Sequence, residues 1–132
     1  MKNKILIVVA NYYKDISINL LNHAKRTLHK PFDLISVPGV FEIPVVIAKN
    51  IKKYDGFIAI GCVIKGETPH FDFISKATIN AIMNLSIKHK KPIGNGIITC
   101  LNMKQAKARE KKGREAAKAL LSVFNSIKVP KK

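Results

Sequence analysis

Apolar residues run along this chain in two alternating rhythms. Ile5-Leu-Ile-Val-Val-Ala10 is an unbroken, β-branched run, the pattern of a strand covered on both faces, and it predicts a strand over 4–10. Ile16, Leu20, Leu21, Ala24 and Leu28 then recur at helical spacing and predict an amphipathic helix from about residue 16 to 29. Asp15 is its expected cap and Pro31 its stop. A second short strand follows over 32–37, closed by the turn signal Pro38-Gly39. Val45, Val46, Ile47, Ala48 and Ile51 suit a buried helix that tolerates Pro44 in its first turn.

The rhythm then repeats. Phe57 to Gly61, or slightly beyond, is a third apolar run, bounded by Gly56. Phe71, Ile74, Ala77, Thr78, Ala81, Ile82, Leu85 and Ile87 outline a long helix ending near His89, with Lys88-His-Lys-Lys91 complementing its dipole. A fourth strand over 93–99 contains two glycines. One helix begins near Met103. Another runs from about Gly113 to Ser126, with Ala116, Ala117, Leu120, Leu121 and Phe124 inward. The tail 129–132 is expected to fray.

The order βαβαβαβα implies an α/β fold: a three-layer αβα sandwich with a four-stranded parallel sheet, flavodoxin-like winding and right-handed crossovers. No repeat or linker interrupts the pattern, so a single domain is expected over residues 1–132.

Composition narrows the class. At 47% hydrophobic the chain is not a disordered one. Cys62 and Cys100 lack metal-ligand spacing and read as buried thiols of a reducing compartment. No apolar run approaches the roughly 18 residues of a membrane span. The run behind Met1-Lys-Asn-Lys4 is short for a signal peptide, so a cytoplasmic protein without membrane contact is expected. The chain carries 24 Lys plus Arg against 8 Asp plus Glu, a formal +16. Such a charge raises nucleic acid as a partner. Only Arg26, Arg109 and Arg114 are arginines, however, and the lysines are spread along the chain. A solvated cationic surface that favours anionic small molecules is the better expectation, with no nucleic-acid partner.

Parallel strands place the loops that follow them at one edge of the sheet. That edge is expected to gather residues 11–14, 38–42, 65–70 and the segment after Thr99 into one cleft. Gly66 permits a tight backbone that approaches a ligand, and Glu67 and Thr68 lie near a helix start that attracts anions. An ordinary helix cap explains them equally well. His70 is the one histidine in a candidate loop and is suited to moving protons, although by position alone a structural role has the edge. No metal site is expected. Glu42 could bind hydroxyls or simply favour a helix N-terminus. Tyr12 and Tyr13 could stack on a planar ring or cover the sheet edge. Arg109 could grip a phosphate or face solvent. Lys112 beside Gly113 is a second cation at a helix start.

At these residues the chain resembles a known family. Val37-Pro-Gly-Val-Phe-Glu-Ile-Pro44, Gly61-Cys-Val-Ile-Lys-Gly-Glu-Thr-Pro-His-Phe-Asp-Phe73, Pro92-Ile-Gly-Asn-Gly-Ile-Ile-Thr99 and residues 109–117 are similar, in order and spacing, to blocks of the 6,7-dimethyl-8-ribityllumazine synthases. The resemblance implies a transferase of riboflavin biosynthesis. It would condense 5-amino-6-(D-ribitylamino)uracil with 3,4-dihydroxy-2-butanone 4-phosphate to give 6,7-dimethyl-8-ribityllumazine, phosphate and water, with no cofactor. It implies that Tyr12 stacks on the pyrimidine and that Val40, Phe41 and Glu42 hold the ribityl chain. Val63 and Ile64 would meet the heterocycle through backbone groups. Gly66, Glu67, Thr68 and Arg109 would hold the phosphate, His70 would move protons, and Lys112 would lie near the pyrimidine. Family sites lie between subunits, so Asn95 and Arg109 would face residues 12, 42 and 70 of another copy.

Three departures from the family pattern stand out. Asn95 occupies a position where many relatives have an aromatic residue. The segment between Arg109 and Lys112 is shorter than in many relatives. The chain also starts almost at its first core strand, which favours a homo-pentamer over the 60-subunit capsid of relatives with an extra N-terminal strand. A non-catalytic carrier of a ribityl ligand and a nucleic-acid-binding α/β module are the competing functions. The combination of Thr68, His70 and Arg109 disfavours the first. The second gives no reason for a Glu-bearing, Gly-rich cleft.

Overall fold

The computed structural model describes residues 3–126. Strands β1 (Ile5–Ala10), β2 (Asp33–Val37), β3 (Gly56–Ile64) and β4 (Ile93–Cys100) form one parallel sheet in the order β2-β1-β3-β4. The helices are α1 (Lys14–Leu28), α2 (Ile43–Lys49), α3 (His70–His89), α4 (Met103–Ala108) and α5 (Lys112–Phe124). A single 3-10 turn, Val40–Glu42, leads into α2. The expected alternation and parallel sandwich are therefore present. The tail expected to fray, 129–132, lies outside the described residues.

The unbroken apolar run of β1 follows from having helices on both sides. Ile5, Ile7 and Val9 pack with Leu20, Ala24, Ala117 and Leu120 of α1 and α5. Leu6, Val8 and Ala10 face the other layer, with Ile43 and Ile47 of α2 and Ile82 of α3. Each fully buried side chain of this size contributes about 1.5–3 kcal/mol relative to exposure. Close approach of the layers is exacting at Gly113, where any Cβ would collide with the Leu20 carbonyl of α1.

Element bounds and burial differ from the sequence expectation in places. α1 begins at Lys14, and its cap position is Tyr13, without a side-chain bond; Asp15 lies inside the first turn, where its charge still suits the helix dipole. β3 extends to Ile64, because β4 pairs with it as far as Cys100 and the Lys65 N–H donates to the Cys100 carbonyl at 2.8 Å. β2 is an edge strand with only Val37 buried, whereas β1, its neighbour, is buried throughout.

Candidate active site

The chain leaves β1 for β2 on one side and returns to β3 on the other. The strand order thus reverses between β1 and β3, the place where open α/β sheets leave a crevice at the strands' carboxyl ends. A cleft of about 340 Å³ lies there, walled by the loops after β1, β2 and β3.

The first loop is tied at both ends. Ser17, fully buried, donates its hydroxyl hydrogen to the Ala10 carbonyl, and its N–H donates to the Tyr13 carbonyl at 2.9 Å. The Asn11 N–H donates to the Val37 carbonyl at 2.9 Å, and its side-chain amide donates to the Ser36 hydroxyl. From this fixed loop Tyr12 projects into solvent, 76% exposed, while Tyr13 is half-buried. Their rings meet edge to face, with centroids 4.9 Å apart and planes at 79°.

In the second loop the Glu42 carboxylate turns back and accepts from the Gly39 N–H at 3.0 Å, which fixes the turn. One Glu42 oxygen is thereby engaged locally, and Glu42 does not line the cleft itself. Val40 is buried against Gly61, where an added Cβ would press on the Val40 methyl and on Ala10. Phe41 points outward, 58% exposed.

In the third loop Val63 and Ile64 end the strand half-buried, and residues 65–70 are exposed. His70 is the first residue of α3 rather than a loop residue. Its N–H donates to the Thr68 hydroxyl oxygen at 3.3 Å, so Thr68 supports the turn while its own hydrogen remains available to a ligand. Gly66 has no positive φ and open space around its Cα. The expected tight glycine backbone is absent, and what the glycine supplies is unobstructed access. Glu67 is exposed and does not line the cleft.

The fourth segment goes elsewhere. Asn95, Arg109 and Lys112 line a second depression of about 530 Å³ with Thr99 and Glu115. Three of the four expected loops wall this cleft; the segment after β4 enters α4, whose Met103 and Lys107 lie beside residues 13–16 just outside it. One Arg109 guanidinium nitrogen donates to the Thr99 carbonyl at 3.1 Å. Lys112 lies 3.9 Å from Glu115. Asn95 accepts the Ile97 N–H at 3.0 Å through its side chain.

The cleft floor is neutral. Burial, then the nearby Cys100 thiol, pushes the Cys62 thiol up to about 12. Burial, then Tyr12 and Cys62, raises the Tyr13 phenol above its ordinary value. Cys62 is therefore a wall and not a nucleophile. No group of His, Cys, Asp and Glu among the described residues is placed to hold a metal. Tyr13, which the sequence offered with Tyr12 as a stacking residue, lines the cleft, as do Cys62, Phe71 and Ile74, for which the sequence suggested no role there. Phe71 and Ile74 lie three residues apart on α3, a spacing that marks one helix face. Chemically the cleft is a slot with apolar walls and aromatic residues at its rim. Backbone N–H groups, a hydroxyl and an imidazole stand at its mouth. It suits a planar ring bound beside an anion.

Known proteins resemble this sequence. The family described as 6,7-dimethyl-8-ribityllumazine synthase matches residues 2–128. A 6,7-dimethyl-8-ribityllumazine synthase of Bartonella henselae is 47% identical over a 135-residue alignment covering 93% of this chain and 87% of the relative. One from Agrobacterium fabrum is 42% identical over 93% of both chains, and one from Bartonella bacilliformis is 45% identical over 84% of this chain and 78% of its own. By these matches across nearly its whole length, the chain belongs to the 6,7-dimethyl-8-ribityllumazine synthase family.

Proposed function

We infer that this protein is the transferase that condenses 5-amino-6-(D-ribitylamino)uracil with 3,4-dihydroxy-2-butanone 4-phosphate, releasing 6,7-dimethyl-8-ribityllumazine, phosphate and water in riboflavin biosynthesis. The observation that carries the reading is the cleft at the β1–β3 reversal, with an aromatic rim and His70 at its mouth. Tyr12 stacks on the pyrimidine, and the backbone at Val63 and Ile64 meets the heterocycle. Val40, Phe41 and the free oxygen of Glu42 take the ribityl chain. Gly66, Glu67 and Thr68 receive the phosphate at the N-terminal side of α3.

The protein is a homo-oligomer in this reading, with a pentamer as the favoured state. Arg109, Asn95 and Lys112 of one copy then close the cleft of the next. Their separate, cation-bearing depression supports that arrangement. The enzyme is cytoplasmic in the same reading, and no helix among the described residues is long and apolar enough to cross a membrane.

No metal or organic cofactor enters the chemistry. Holding two substrates together supplies much of the rate. His70 adds proton transfer during imine formation, phosphate elimination and ring closure, a contribution of about 10²–10⁴-fold. The test is to mix the protein with both substrates and follow lumazine absorbance and fluorescence. Saturable product formation above the uncatalysed background is expected. A rate equal to background would refute the reading.

A further inference from the structure

The exposed ring of Tyr12 raises a physical difficulty. A side chain with about three quarters of its surface in water has several rotamers open to it. A platform for a planar ligand binds more tightly if its ring is held before the ligand arrives, because less side-chain entropy is lost. Nothing donates to or accepts from the Tyr12 hydroxyl among the described residues, so a hydrogen bond does not hold it.

We propose that Tyr13 is a positioning residue, whose half-buried ring buttresses Tyr12 edge to face and thereby sets the platform for the pyrimidine substrate. This rests on the reading of Tyr12 given above. Three observations carry it. The two rings are at 4.9 Å and 79°, the favourable T-shaped arrangement. Tyr13 packs against the core formed by β1, β3, α1 and α5, so one ring of the pair is anchored. Its backbone is pinned by Ser17, which bonds both Ala10 and Tyr13 across the loop. The Tyr13 phenol remains protonated at neutral pH, so the buttress presents no charge to the ligand. The ring is the working part, and the hydroxyl is dispensable.

The experiment is a double-mutant cycle on steady-state kinetics with both substrates, using Tyr12→Leu, Tyr13→Met, the double variant and Tyr13→Phe. Tyr13→Leu, with the same loss of the ring, serves if the Met variant does not fold. An edge-to-face pair of ordinary strength predicts that Tyr13→Met raises KM for the ribitylaminouracil about 3- to 10-fold. KM for the phosphorylated substrate and kcat should change by less than about twofold. Tyr13→Phe should match the unmodified protein. The double variant should be no worse than Tyr12→Leu, because a buttress has nothing left to hold.

If Tyr12→Leu raises KM while Tyr13→Met is silent, or if the two effects multiply, the positioning role is overturned and the reading of Tyr12 stands. Equal rises in both KM values would also overturn it, since a merely structural defect acts on both substrates. If Tyr12→Leu has no effect, the reading of Tyr12 falls and the inference falls with it.

Discussion

The two ends of the sheet each carry a concavity, and the larger one is the less suited to chemistry. At the amino edge a groove of about 500 Å³ is lined by residues 3–5 and 30–33 and by Tyr54. Its tyrosine and its one carboxylate are spent on each other. The Tyr54 hydroxyl donates to an Asp33 carboxylate oxygen at 2.5 Å, and the neighbouring Lys4 N–H donates to Asp55 at 2.7 Å. The Lys25 ammonium lies 6.0 Å from the ring of Phe32. At the carboxyl edge the cleft is smaller, about 340 Å³. Its groups stand on ordered backbone yet remain unspent: the Tyr12 face, the Thr68 hydrogen and the His70 imidazole. Volume locates a concavity, and polar groups that are fixed but unpaired locate a function.

The two regions also raise tyrosine and thiol titrations for different reasons. At the groove a hydrogen bond to Asp33 is the first cause for Tyr54. At the cleft floor burial is the first cause for Cys62 and Tyr13. A paired group and a dry wall thus give shifts of the same sign.

The largest expected effect that separates the two ends is at His70. His70→Ala should lower kcat about 10²–10⁴-fold in the lumazine-formation assay, with binding of the ribitylaminouracil changed by less than about twofold. A variant with unchanged turnover would remove His70 from the mechanism. Next, if Arg109 grips the phosphate, Arg109→Ala removes a charge-assisted contact of about 1.5–3 kcal/mol. It should raise KM for the phosphorylated substrate about 10- to 100-fold. An unchanged KM would leave Arg109 as a surface residue bonded only to Thr99.

How much of this was legible in the sequence depends on what fixes each residue. β1 and the inward stripe of α1 were readable because burial acts on every side chain of the one and on every third or fourth of the other. The true start of α1 was not, since Lys14 and Asp15 face solvent and carry no apolar signal. The last residues of β3 are strand only because β4 lies alongside, a contact remote in sequence. Three of the four site loops follow directly from strand order. Arg109 lines a separate depression with Asn95 and Lys112, a grouping that alternation alone does not reveal. Ser17 reads as a polar residue in a first turn, and its burial appears only once the loop folds over it.

Alkaline pH sharpens the contrast between wall and pair. A thiol whose folded value lies near 12, above an unfolded value near 9.0, contributes stability that is complete below pH 9 and is lost as pH rises toward 12. Thermal melts across this range should fall less steeply for Cys62→Ala than for the unmodified protein. Parallel slopes would mean that the thiol is not protected by burial. The smallest effect belongs to the groove. Tyr54→Phe removes a hydrogen bond on an open surface, a loss of about 0.5–1.5 kcal/mol, and should leave kcat/KM within about twofold. Because the Tyr54 value is raised above 10.0, that stability difference should be present below pH 10 and fade above it. A large catalytic defect in Tyr54→Phe would contradict the assignment of function to the carboxyl edge.

In the proposed reading the His70 cleft of one copy and the Arg109 depression of another act as one site. Equal amounts of His70→Ala and Arg109→Ala chains, unfolded and reassembled together, test it most directly. If His70 of one copy works with Arg109 of another, random mixing regenerates an intact pair at about a quarter of the sites. The mixed assembly should then form lumazine at about a quarter of the unmodified rate under conditions where each variant alone is far slower. A rate no higher than the mean of the two variants would contradict the claim.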